Sequence, residues 1–375
     1  MAQKKVIVHN KSDRPDNIVE REARVYEECT GIENELPKFL RGFFIYLRGN
    51  VLPMTRLAYL HDIKFFCEYL IRETALTQAS AANNIRLSDF AGIRAADINV
   101  FIDYCRHYTV DDGKGTATVY ENSSKTLARK KSSLSVMFKQ LYRDELLKKN
   151  ITDGFDPIRV PKAGEREIKA LHDDEVMIML DAVSTGAGQT KHEKAYWEKT
   201  KKRDKAILIL FLTYGLRLSE LWQLNLSSFN FGRGEFKIYR KRGKESIMPL
   251  NDSVTAVVHD YIDNERKTVH PDEENEDALF LSLQGKRMTE RQLRQLVKKY
   301  TSIALHTSRD AGYSPHKLRA TAATSLIGRG NSIYDVATLL DHEQVTTTQL
   351  YARQKEGVKR NLVKDMEWEK ERVKK

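Results

Sequence analysis

Cysteine is scarce in this chain. Only Cys29, Cys67 and Cys105 occur in 375 residues, far apart and without C-x-x-C spacing. That argues against both a disulfide framework and a zinc site. Long apolar runs are missing too: no stretch of eighteen apolar residues exists, so no membrane-spanning helix is expected. The opening "MAQKKVIVHNKSDRPDN" has no hydrophobic signal core. Together these absences lead us to expect a cytoplasmic, reduced protein without a membrane partner. There is no internal repeat, and neither a carboxylate pair nor a metal-ligand cluster competes as an active site. "HDDE", His172 to Glu175, is read as an acidic helix start rather than a metal site. Gly113-Lys114-Gly115 lacks the strand-loop-helix context of a phosphate loop. Neither metal nor cofactor is expected.

Charge, by contrast, is plentiful. Lys and Arg number 63 against 52 Asp and Glu, a formal net charge of +11. A polyanionic partner follows, with nucleic acid first and an acidic membrane surface second. The 41% hydrophobic content suffices to bury cores and argues against wholesale disorder.

The spacing of apolar residues divides the chain. Residues 1–30 are mixed-charge and read as an extension, a tail or a short peripheral helix. Residues 31–155 read as an all-helical domain, with apolar residues at helical spacing in "ELPKFLRGFFIYL" and in "TRLAYLHDIKFFCEYL", where Thr55 is the expected N-cap. "VDDGKGTATVYENSS" reads as a loop. The following helix carries Lys125, Arg129 and Lys130 opposite its apolar side, either a solvated face or a DNA contact. Residues 156–170 read as a linker, 171–356 as a mixed α+β domain, and 357–375 as a charged tail with a sparse apolar side. Within the second domain, "KAILILFLTYG" is expected to be a buried helix ended by Gly215. "EFKIYRKRGKESIMPL" is expected to be a β-hairpin turning at Arg242-Gly243. "STGAGQTKHEKAYWEKTKKRDK" looks like an exposed excursion. The fold class is therefore mainly α, with one small hairpin sheet.

Four short segments carry the chemistry. "TYGLRLSEL" puts Arg217 after a glycine turn, and "YRKRGKESIMPL" puts Lys241 at a hairpin tip. "SPHKLRATAATSL" sets His316 and Arg319 three apart on one helix face behind Pro315. "LLDHEQVTTTQLYAR" places His342 nine residues before Tyr351. Each alone is weak. In this order they resemble the tyrosine recombinase (phage integrase) family, most like its Xer-type branch. The match spans the C-terminal half, and the basic helical N-terminal half suits the family's SAM-like core-binding domain. Two departures stand out: Ala320 follows the second arginine where relatives usually carry histidine, and Asp341 replaces the glycine of "LLGH". Asp341 is expected to favour protonated His342.

The resemblance implies a catalytic set of Arg217, Lys241, His316, Arg319, His342 and Tyr351, with Tyr351 the nucleophile. It also implies a C-shaped clamp on double-stranded DNA bearing a specific recombination site, assembled as a homotetramer on two sites. The tail is expected to dock on a neighbouring subunit. Thr55, Arg56, Lys125, Arg129, Lys130, Lys286, Arg287, Arg291 and Lys298 are the expected DNA contacts, the last four on one DNA-facing helix. Lys244 rivals Lys241 as the acid. The biological role is either chromosome dimer resolution or integration and excision of a mobile element. A type IB topoisomerase would share the chemistry, and a recombinase-derived regulator would lack it. The Xer-like helical half argues against the first, and the intact set of six groups against the second.

Overall fold

A computed structural model describes residues 14–111, 115–161, 168–240, 243–342 and 348–349. Lys241, Arg242, Tyr351 and the tail lie outside them. The chain divides into two compact units, Met1–Lys162 and Ala163–Lys375.

The first unit contains α1 (Asp16–Asn34), α2 (Arg41–Asn50), α3 (Pro53–Glu73), α4 (Leu87–Ala91) and α5 (Ala95–Tyr104). A hairpin of β1 (His107–Asp111) and β2 (Ala117–Glu121) precedes α6 (Ser124–Arg143). Phe43, Phe66, Phe90, Phe101 and Phe138 fill its core. Cys67 and Cys105 are buried thiols, and burial pushes Cys105 up to about 12, so neither is a reactive group.

Three sequence expectations change here. The N-terminal stretch is not peripheral from Asp16 onward, because α1 packs on α3 and sinks Cys29 and Ile32 into the core. Thr55 is not the N-cap of α3; Leu52 is, with Pro53 in the first turn, where a missing N–H costs nothing. The expected loop after α5 is instead the β1–β2 hairpin. Tyr108 stacks on Tyr120 across it, at 5.2 Å between ring centroids. Its β-branched and aromatic residues outweigh the glycines between them.

The second unit runs α7 (Asp173–Thr185), α8 (Lys191–Trp197), α9 (Lys201–Tyr214) and α10 (Leu218–Trp222). The antiparallel strands β3 (Phe229–Asn230), β4 (Glu235–Tyr239) and β5 (Glu245–Pro249) come next. Then follow α11 (Asp252–Asn264), α12 (Glu290–Ala304), α13 (Pro315–Gly328) and α14 (Ile333–Leu340). Helix α9 is the buried axis, packed by α7, α11 and α13, as the apolar run over residues 206–212 within it requires. His172 caps α7, its N–H donating to the Glu175 carboxylate at 2.7 Å, the capping role expected of "HDDE". The excursion near residue 190 is not simply exposed. Trp197 is buried and donates to the Val183 carbonyl at 2.8 Å, while Arg309 pairs with Glu193 at 2.9 Å.

Candidate active site

Helix α9 ends at Gly215, which adopts φ +56°, the left-handed cap that glycine takes without strain. Space demands glycine as well: a Cβ there would sit 2.5 Å from Leu340. The turn delivers Arg217 to the start of α10. Glu220 in that helix accepts from the Arg217 backbone N–H at 2.8 Å and from its guanidinium at 2.6 Å. From α13, Arg319 points inward and is 3% exposed, while His316 on the same helix is exposed.

All of this converges on the end of α14. Its last carbonyls have no partners within the helix and need donors from elsewhere. Three arginines supply them. Arg240 donates to Leu339 O at 2.9 Å, Arg319 to Leu340 O, and Arg217 to Asp341 O at 3.0 Å. Arg319 also donates to Gly215 O at 2.7 Å, tying the α9 cap to the same cluster. Glu220, 1% exposed, lies among them, with Arg240 and Arg319 each 3.9 Å away. A buried carboxylate thus balances a concentrated cationic patch.

His342 follows directly. Its backbone N–H closes on Ala337 O at 3.0 Å, and its ring Nδ1 lies 2.7 Å from the hydroxyl of Thr348. Burial first, then Arg319, Arg217 and His316, push its pKa down from 6.5 to about 4. Asp341 acts the other way but is the weakest of these influences. Asp341 thus has the expected sign but is outweighed, first by burial and then by the arginines, so the neutral ring is favoured.

The phage integrase family model matches residues 169–357, half of the chain. The chain belongs to the phage integrase family. It is 34% identical over 235 residues to the tyrosine recombinase XerC of Natranaerobius thermophilus, covering 62% of this chain and 72% of that one. With the tyrosine recombinase XerD of Staphylococcus haemolyticus it shares 30% identity over 255 residues, 67% and 79% of the two chains. In fold it is similar to the XerH site-specific recombinase bound to difH substrate, with a TM-score of 0.60 at 17% identity, covering 96% and 98%. It also resembles the Tn1549 transposon integrase, with a TM-score of 0.51 at 22% identity, covering 86% and 94%. The protein is thus a site-specific tyrosine recombinase, an enzyme that cuts and rejoins DNA.

Of the residues expected in the recombinase's site, Arg217, His316, Arg319 and His342 come together, and Lys241 and Tyr351 lie outside the described residues. Several expected DNA contacts are corrected. Arg56 is buried, pairs with Glu33 at 2.6 Å, and lies over the Tyr26 ring. Lys130 is buried against Asp62 at 3.3 Å, over the Phe65 ring, so it is not on an exposed face. Arg287 donates to the carbonyls of Trp222 and Leu224 at 3.1 and 3.0 Å and to the Asn225 side chain. These three side chains are engaged by partners within the fold. Arg129 pairs with Asp62 but keeps an exposed flank. Lys286 and Arg287 precede α12, leaving only Arg291 and Lys298 on it; Lys298 donates to Asp310 O at 3.2 Å. Thr55 is half-buried in the first turn of α3, and Lys125, Lys286 and Arg291 are exposed.

Sequence reasoning missed Arg240. The signal was present: Phe236 and Ile238 alternate inward along β4, and Arg240, one residue past its end, continues that phase and is buried. An arginine in the inward phase of a strand is a buried arginine seeking a partner.

The low His342 pKa has a consequence for stability. The folded protein keeps His342 neutral down to about pH 4, whereas the unfolded chain takes up that proton near 6.5. Its contribution is complete above pH 6.5 and is lost as pH falls toward 4. Denaturant unfolding between pH 7 and 4 should show this downward slope, and His342→Gln should flatten it by about one proton's worth. An unchanged slope in the variant would place the linkage elsewhere.

Proposed function

We propose that the recombinase acts on double-stranded DNA carrying a specific recombination site, as a homotetramer on two sites, through a 3′-phosphotyrosine on Tyr351. The convergence of Arg217, Arg319 and His342 on one helix end, with His316 beside them, carries this reading. A phosphodiester under attack gathers negative charge on its non-bridging oxygens, and guanidiniums meet that charge with paired donors. Arg217, one-third exposed, is the open donor of the cluster.

In this reading the Tyr351 oxygen attacks phosphorus and the 5′-oxygen leaves with a proton from Lys241. His316 takes the tyrosine proton, and His342 donates to a phosphate oxygen. In the tautomer whose Nδ1 accepts the Thr348 hydroxyl, the neutral ring carries its proton on Nε2 for that bond. The covalent bond conserves the energy of the broken one, so a strand rejoins by the reverse steps without ATP.

A nicked suicide substrate tests this. With EDTA present, a covalent adduct should accumulate and map to the peptide bearing Tyr351. An adduct on another residue, or a strict magnesium requirement, sinks the assignment. Lys241→Ala should slow cleavage by about 10²- to 10⁴-fold. Sulfur at the 5′-bridging position, which leaves without a proton, should restore it. If sulfur fails, or if Lys244→Ala behaves the same way, the acid is another group. Mapping the trapped DNA across the host genome reads the role directly: one chromosomal locus marks dimer resolution, and element ends mark integration and excision.

A further inference from the structure

Asp341 occupies an unusual position. It closes α14 at φ +50°, ψ +54°, the left-handed region where glycine is easiest and aspartate is among the tolerated exceptions. Its side chain faces the cations of the site. One carboxylate oxygen lies 3.2 Å from the Lys244 ammonium, and the other lies 3.8 Å from the Arg217 guanidinium. Its backbone carbonyl accepts from the same guanidinium at 3.0 Å. Burial opposes its ionisation. Lys244, Arg240 and Arg217 outweigh that and hold the carboxyl below its usual range, so it is anionic at neutral pH.

A carboxylate and a phosphodiester offer a guanidinium the same thing: two anionic oxygens on one centre. We propose that Asp341 is a built-in stand-in for the scissile phosphate, bridging Arg217 and Lys244 until DNA displaces it. This rests on the proposed site, in which Arg217 receives the phosphate. The carboxylate balances Arg217 and Lys244 before DNA arrives, and it raises the threshold for productive binding. A phosphate held loosely by flanking DNA loses the competition, whereas one driven in by a full recombination site wins. Asp341 thereby acts as a specificity-determining residue without taking part in the chemistry.

Two substitutions separate this from a merely structural role. Asp341→Asn keeps the shape and removes the charge. Asp341→Gly removes the whole group and suits the left-handed backbone, so both variants are expected to fold. Covalent adduct formation on a nicked substrate is followed under single turnover across DNA concentrations. At sub-saturating DNA both variants should react about three- to tenfold faster than the parent, with equal rates at saturation. For DNA lacking the specific site, whose phosphate loses the competition even when bound, the gain should persist at saturation, narrowing discrimination.

If Asp341 instead positions Arg217, both variants will react more slowly at saturation, and the proposal fails. Unchanged rates at every concentration also overturn it. Absence of adduct in the parent protein would indict the proposed site itself, and that outcome is distinct from the other two.

Discussion

Tyr351→Phe should bind a recombination-site duplex with unchanged affinity and form no covalent adduct on a nicked substrate. The expected loss is total, because no other group of the proposed set can both attack phosphorus and leave again as a stable oxyanion. Tyrosine needs that help, since its ordinary pKa is near 10 and a phenoxide is scarce at neutral pH. In the proposed site Arg217 and Arg319 would favour the anion; the same two guanidiniums add to burial, the larger cause, in lowering His342 to about 4. Gel-shift affinity and denaturing-gel adduct yield, measured on one preparation, check both halves. Residual adduct above the background of a heat-killed control would move the nucleophile to another residue. Weakened binding would instead mean that the phenol is a DNA contact.

The second large effect concerns Glu220, whose expected change is in stability. Its carboxylate is nearly inaccessible and lies among Arg217, Arg240 and Arg319. Removing one partner of a buried charged network strands the others, at about 3–5 kcal/mol. That is a large share of a typical domain's total of about 5–15 kcal/mol. Glu220→Ala should therefore lower the melting temperature of the second unit by about 10 °C. It should also loosen the α14 end that carries His342. Glu220→Gln keeps the acceptor for the Arg217 backbone N–H and should cost less. Urea unfolding followed by tryptophan fluorescence, through the buried Trp197, reads the difference. A cost below about 1 kcal/mol would show that the arginines are compensated by solvent rather than by Glu220.

Much of the site could be read from order and spacing, because its parts are locally encoded. Gly215 ends an apolar helix and must be followed by a turn, so Arg217 emerges at a helix start. His316 and Arg319, three apart behind Pro315, share a helical face. The β4–β5 hairpin follows from two β-rich runs around Gly243, whose φ is +73°. What spacing could not show is that three arginines terminate α14. Arg240 and Leu339 are 99 residues apart, and Arg217 and Asp341 are 124 apart. No local pattern announces such a pairing.

The same distinction separates the right and wrong readings of surface charge. Composition determined that this chain is strongly basic, and local spacing and residue order that it forms mainly helices and carries the recombinase motif. Those properties depend on neighbours within a few residues, or on none. Which cations stay exposed was decided only by the tertiary structure, since a lysine or arginine is exposed or buried according to where a carboxylate lands. Glu33 claims Arg56 across 23 residues, and Asp62 claims Lys130 across 68. His342 shows the reverse case. Its sequence neighbour Asp341 argued for a raised pKa, but folding brought burial and two guanidiniums, which prevailed. Electrostatic energy falls with distance in space and is indifferent to distance along the chain.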